Sequence, residues 1–385
     1  MKSDTRLQHT KVSHRAHQTV NPPVEKGSSL LVKTRAELYG TGTVYGRMGL
    51  GVQRELEAAL RTLENGTHAQ LTANGLQACA LAVASIARSG DHILIADNLY
   101  GPNRRFCTRR LSAMGITASR FPPNLTPDAL ERMIKPETRA IVLESPGSLS
   151  FEITDTPAVV KMAERFQITT ILDNTWSAGV FHRPLELGVD LTVQSLSKYA
   201  IGHADAMGGV VVTRSETLAK KLQACANDWG LGLSADDAYL ALRGLRTLHN
   251  RLRQHERSGL QIADWLANRP EIDSVLHPAR SDHPQHHLWK RDFTGACGLF
   301  GAILRPVSDV QLDRFLEALK LFRMGFSWGG YESLLIPSDG QLKRLKEDPI
   351  LQKAGPLLRL HVGLEDVDDL MADLGGAFDV MAANA

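Results

Sequence analysis

The sequence predicts an α/β protein: a large domain built on a mostly parallel sheet covered on both faces, followed by a smaller α+β domain. Three observations carry this. From about residue 50 the chain alternates helix-period stretches with short β-branched apolar runs. Those runs are apolar almost throughout instead of on alternate positions, which marks strands buried on both faces. After about residue 245 the texture changes to a long polar helical stretch, then to a few strand-like runs with two more helices.

The elements follow in order. The chain opens with MKSDTRLQHTKVSHRAHQ and runs on through NPPVEKGSS. This polar start cannot bury a face of its own, so it is a loose tail or an arm that orders against another surface. Helical periodicity then spans VQRELEAALRTLE (52–64) and LQACALAVASIARSG (76–90). Strands are expected at HILIAD (92–97), AIVLES (140–145), ITTILD (168–173), LTVQSLS (191–197) and GGVVVT (208–213). Before ITTILD, Asp155 and Thr156 precede Pro157 at the first position of a crossover helix, PAVVKMAERF. The polar helix LRTLHNRLRQHERSGLQIADWLANRP opens the second domain. The boundaries read 1–48 for the arm, 49–244 for the α/β domain and 245–385 for the α+β domain.

Composition narrows the functions. Apolar residues make up 43% of the 385, charged residues 22%, and the formal net charge is +2, so nothing biases the protein toward nucleic acid or an anionic membrane. A small molecule is the expected partner. Cys79, Cys107, Cys225 and Cys297 lack CxxC or metal-ligand spacing and read as free thiols in a reducing compartment. No run reaches the roughly 18 apolar residues of a membrane span. The start has no apolar leader, so a cytoplasmic protein is expected. HPQHH (283–287) has no carboxylate or cysteine at ligand spacing, and Pro284 makes it a solvated loop, not a metal site. GTGTVYG (40–46) has the wrong spacing for a dinucleotide fingerprint and follows no apolar run, which sets an oxidoreductase aside. A nucleic-acid binder would need a basic stripe that the sequence lacks.

In an open α/β sheet, ligands sit beyond the carboxyl ends of the strands. Two ionisable residues stand there: Asp173 ends ITTILD, and Lys198 follows LTVQSLS. Ser195 and Ser197 accompany the lysine, and Gly202, Gly208 and Gly209 allow close backbone approach. Taken singly, a lysine is a solvated surface group and an aspartate a turn cap. Together with small hydroxyl donors they suggest an anion held beside an amine.

The stretch DNTWSAGVFHRPLELGVDLTVQSLSKYAIGHADAMGG resembles the core of the Cys/Met-metabolism family of pyridoxal-phosphate (PLP) enzymes. YGRMG, ANGLQA, NLYGPNRRF, SWGGYESL and LLRLHVGLED occur in the family's order, and ESPGSLSFEI (144–153) is similar to its bacterial cystathionine β-lyase branch, where γ-acting members usually read ESPxNP. The resemblance implies the PLP-dependent transferase type I (aspartate aminotransferase-like) fold and a homotetramer of catalytic dimers. It also implies a role for each matched residue. Lys198 would carry the cofactor as a Schiff base and, once freed, remove the Cα proton of an amino acid. Free lysine titrates near about 10.4, so burial and nearby cations must depress it. Asp173 would face the ring nitrogen and keep it protonated. Gly75 and Leu76, where a helix starts after TAN, would offer backbone N–H groups to the phosphate, with hydroxyls from Ser195 and Ser197. Tyr45, counted with Lys198 and Tyr100 among the catalytic residues, and Arg47 would reach the phosphate of the neighbouring subunit. The early segment is then an intersubunit arm. Tyr100 would stack on the ring and pass a proton to the leaving sulfur. Arg359 would clamp the substrate α-carboxylate, with Ser327 and Trp328 nearby. If its stretch is a strand, Arg359 and His361 take the face opposite their apolar neighbours.

The expected reaction is β-elimination at a carbon–sulfur bond, above all on L-cystathionine, giving homocysteine, pyruvate and ammonia in trans-sulfuration and methionine biosynthesis. The alternatives are a cysteine-S-conjugate β-lyase or cysteine desulfhydrase, a cystathionine γ-lyase or γ-synthase, and, in another class, a non-catalytic PLP-binding regulator. Lys198, Tyr100, Asp173 and Arg359 together favour an enzyme. Met48 stands where a second arginine is common, and Arg105 where an acid often occurs. If these meet the distal end of the substrate, recognition there differs.

Overall fold

The computed structural model describes residues 2–9, 19–345 and 349–383. Its large sheet has seven strands: β1 (His68–Thr72), β2 (His92–Ala96), β3 (Thr117–Phe121), β4 (Thr138–Glu144), β5 (Thr169–Asp173), β6 (Leu191–Ser195) and β7 (Gly209–Thr213). Their order is β1-β7-β6-β5-β4-β2-β3. The sheet is parallel from β3 to β6, and β7 alone runs against its neighbours. Successive side chains of a strand point to opposite faces. Val210, Val211 and Val212 are all fully buried, so both faces are covered.

Two helices differ from the sequence expectation. The crossover helix runs Thr156–Arg165 with Asp155 as N-cap, its carboxylate accepting the Ala158 N–H at 3.3 Å. Pro157 is thus its second residue, a place where a missing N–H is equally harmless. The helix expected over 76–90 spans Gly75–Ala84, because a turn closes instead where Asp91 accepts the Arg88 N–H at 2.9 Å.

The smaller sheet contains β8 (Ile272–Leu276), β9 (Leu299–Leu304), β10 (Leu334–Pro337) and β11 (Leu357–His361), all antiparallel in the order β10-β11-β9-β8. Ile262 and Leu266 of the long helix Leu248–Ala267 share one core with Phe300, Leu358 and Leu360 of this sheet and with Leu374 and Phe378 of the helix Val367–Ala382. Arg359 and His361 point away from that core. Their face is not open to water, since it lies against the large domain, with His361 packed 5.8 Å from the ring of Tyr199.

The start of the chain departs from expectation. The short helix Ser3–Gln8 buries Leu7, and the Arg246 guanidinium donates to the Leu7 carbonyl while Gln8 Nε2 donates to the Arg246 carbonyl at 2.6 Å. The polar sequence hid one apolar anchor. Residues 10–18 of the expected arm lie outside the described residues. Beyond them Leu31 is fully exposed and Tyr39 nearly so. The HPQHH stretch is also less solvated than expected: His283 is buried, its Nδ1 accepting the Gln285 N–H at 3.2 Å, and a helix begins at His286. Among the described residues no group of His, Cys, Asp and Glu could hold a metal, and no helix is long and apolar enough to cross a membrane.

Candidate active site

The carboxyl ends of β4, β5 and β6 open onto one crevice, which the small domain closes. Lys198 sits in the turn after β6, where its N–H donates to the Ser195 carbonyl at 3.3 Å and its own carbonyl accepts the Gly202 N–H at 2.8 Å. The amine donates to Ser327 Oγ at 2.5 Å and lies 5.5 Å from the centre of the Trp328 ring. Burial first, then the charge of Arg359, pushes it down to about 8, against an opposing pull from Asp173. Ser327 is held at φ +79°, a left-handed conformation that a residue with a Cβ adopts only when its surroundings insist. One insisting neighbour is Gly329, also left-handed, where a Cβ would stand 2.7 Å from the Tyr199 nitrogen. Only glycine lets this loop lie on the backbone of the lysine turn. His361 Nε2 secures the same loop, 3.1 Å from both the Gly329 nitrogen and the Gly330 oxygen, accepting from one or donating to the other according to tautomer.

Asp173 ends β5. Its carboxylate accepts the Thr175 N–H at 3.0 Å and the Thr175 hydroxyl at 2.5 Å, and the Cys79 thiol lies 3.6 Å away. Burial raises its proton affinity, while these donors and Lys198 lower it. Arg359 comes from β11 and donates from Nη2 to the Ser327 carbonyl at 2.9 Å. Burial holds it down to about 10, which leaves it a cation at neutral pH. Tyr100 caps the short helix Gly101–Arg105 and is half-exposed. Burial of its inner part keeps the hydroxyl proton in place.

Opposite the lysine, Asn74 caps the helix Gly75–Ala84 by accepting the Gln77 N–H at 2.9 Å. A Cβ on Gly75 would stand 2.4 Å from the Cβ of Ser195, so the helix start can meet the end of β6 only with glycine there. Ser197 Oγ meanwhile accepts the Gly208 N–H at 3.1 Å. Replacing Gly75 by alanine is expected to weaken cofactor retention about tenfold or more, because overpacking costs about 1–3 kcal/mol and about 1.4 kcal/mol is tenfold. Dialysis followed by the visible absorbance of the retained cofactor measures it.

The structure brings together Lys198, Asp173, Ser327, Trp328 and Arg359 on one side and Gly75, Leu76 and Ser195 on the other. It leaves Tyr45 and Arg47 on the surface, the guanidinium 5.8 Å over the Tyr45 ring. Sequence reasoning gave no role to Glu144, Thr175 or Cys79, all of which touch this constellation. For Glu144 the signal was present, since an acid closing an apolar run is what singled out Asp173.

A sheet-end lysine depressed by burial, a buried carboxylate across from it and a helix N-terminus facing a serine define a fold-type I PLP enzyme. The residues fit that cofactor on structural grounds: Gly75 and Leu76 open the helix, where no preceding turn supplies acceptors for their N–H groups, and Gly75 lets that helix start lie directly against Ser195, bringing its hydroxyl beside them. The chain belongs to the Cys/Met metabolism PLP-dependent enzyme family, whose model matches residues 4–379. It is 39% identical over 371 residues to a cystathionine β-lyase of Salmonella typhimurium, covering 94% of this chain and 93% of that one. An L-alanine/L-glutamate racemase of Wolbachia pipientis is 34% identical, covering 93% and 92%. The crystal structure of cystathionine γ-lyase from Lactobacillus plantarum, complexed with L-serine, superposes with a TM-score of 0.91 at 30% identity, covering 99% of both chains. The protein is a PLP-dependent carbon–sulfur lyase of the trans-sulfuration family, related to both β- and γ-acting members.

Proposed function

We propose that the protein is a β-lyase that cleaves L-cystathionine into homocysteine, pyruvate and ammonia. The observation that carries this reading is one largely buried amine, Lys198, held by Ser327 Oγ between the carboxylate of Asp173 and the guanidinium of Arg359. Bound PLP supplies the electron sink for charge developing at the substrate Cα. Arg359 holds the substrate α-carboxylate and so fixes Cα beside the lysine. Lys198, brought down to about 8, is a base that works near neutrality, and it takes the Cα proton. Tyr100 keeps its own proton and delivers it to the departing sulfur. Asp173 presents its charge to the ring nitrogen.

Tyr45 and Arg47 are exposed in their own subunit, and the segment that bears them also exposes Leu31 and Tyr39. On this reading residues 1–48 are an arm, anchored on its own subunit through Leu7, whose later part completes the phosphate site of a neighbour, 49–244 form the cofactor domain, and 245–385 the C-terminal α+β domain. The assembly is a homotetramer of catalytic dimers working in the cytoplasm.

The β reading is supported by ESPGSLSFEI and by the 39% identity to a β-lyase. Incubating the pure protein with cystathionine and quantifying keto acids and thiol tests it. Pyruvate and homocysteine in equal amounts are expected. 2-Oxobutyrate with cysteine would move the assignment to a γ-lyase. Met48 and Arg105, both exposed, favour a second reading in which a cysteine conjugate is preferred. A higher kcat/KM for an S-conjugate than for cystathionine would establish that one.

A further inference from the structure

The first residue of ESPGSLSFEI is an acid, Glu144, with no step of its own in the elimination. Glu144 is the last residue of β4 and the register partner of Asp173 across the β4–β5 ladder, so the two carboxylates leave the sheet side by side on one face. Its Oε2 accepts the Tyr100 N–H at 2.6 Å and its Oε1 meets the Ser148 hydroxyl at 2.5 Å. One buried side chain therefore links Tyr100 to the neighbourhood of Asp173, the two residues that would flank the cofactor ring.

We propose that Glu144 is a positioning residue for the reaction, holding Tyr100 by its backbone amide and staying uncharged so that Asp173 alone carries the negative charge of the pair. The inference rests on Asp173 and Tyr100 flanking the cofactor.

Two carboxylates this close in a buried site do not both ionise. Charged or titratable groups face Glu144 from each packed element: Asp173 on β5, Cys79 on the helix Gly75–Ala84, and Tyr100 and Arg104 after β2. Asp173 has three donors, Thr175 N–H, Thr175 Oγ1 and Cys79 Sγ, and it also has Lys198 nearby, so the charge settles there. Glu144 has neutral donors alone, from the Tyr100 N–H and from the hydroxyl and N–H of Ser148, and burial first, then Asp173, pushes it up to about 8. The Ser148 hydroxyl can donate or accept, so it can accept a hydrogen bond from the acid O–H of a protonated Glu144 without any heavy atom moving.

Glu144→Gln and Glu144→Leu in the holoenzyme separate the two parts of this role. Glutamine keeps an uncharged acceptor for the Tyr100 N–H, and its kcat is expected within about threefold of the parent. Leucine frees Tyr100, and kcat is expected to fall by up to about a hundredfold, as a misplacement of about 1 Å can cause. Infrared spectra of the parent minus Glu144→Gln are expected to show a carboxylic-acid C=O band at neutral pH that vanishes as pH rises through about 8. Glu57 and Glu64, raised to about 7, cancel in that difference. The infrared arm needs no substrate, so failure of the cystathionine reading leaves it standing. If no such band distinguishes the parent, or if glutamine is as damaging as leucine, the inference is overturned. Should Glu144→Leu fail to fold, the band and the glutamine rate still decide.

Discussion

Lys198→Ala is expected to lower the rate of keto-acid release by about 10⁴-fold, with the fold and the Gly75 phosphate cradle unchanged. The size of the effect follows from the amine having no understudy. Around the crevice, Arg359 stays protonated because burial lowers it only to about 10, and the raised Tyr100 hydroxyl is a donor. Among the described residues around it, no other group is both neutral near physiological pH and basic enough to take a Cα proton. In the parent enzyme the same amine sets a pH profile. It accepts a proton only when unprotonated, so kcat is expected to fall as pH drops below about 8 and to level off above it. Stopped-flow release of pyruvate at a series of pH values measures both effects. Turnover surviving in Lys198→Ala would mean that another group takes the proton.

Asp173→Asn is expected to reduce kcat by about 10²- to 10³-fold while keeping the protein folded. The amide matches the carboxylate in shape, and its oxygen can still accept from Thr175, which donates through its N–H at 3.0 Å and its hydroxyl at 2.5 Å. What is lost is a fixed charge in a buried place, where opposite charges attract far more strongly than in water. Lys198 also loses the group that pulls its proton affinity upward, so its titration is expected to move lower still. A kcat within a few fold of the parent would show that the carboxylate charge is not used.

Much of this site was legible because chemistry in an open parallel sheet collects where strands end, and Asp173 and Lys198 both follow apolar runs. What was lost had physical causes. β1 (HAQLT) and β3 (TASRF) are half-exposed edge strands, and their mixed polarity does not stand out from loop sequence. The reversed direction of β7 leaves no trace in GVVVT, since a strand buried on both faces reads the same either way. Leu7 escaped notice because a single anchor on a six-residue helix makes no periodic signal. Glu144 closes β4 as Asp173 closes β5, but it stands before Ser-Pro, where an acid also reads as part of a turn. The left-handed turn at Ser327 could not be read at all, because serine carries no preference for it.

The Gly329 contact has a kinetic corollary. Atoms of the small domain rest directly on the peptide units of Lys198 and Tyr199, with no side chain between to act as a cushion. The root of the lysine is therefore clamped from two directions. Whatever distance the nitrogen covers in a catalytic cycle must come from rotation about its own four methylenes, a stroke that needs no hinge.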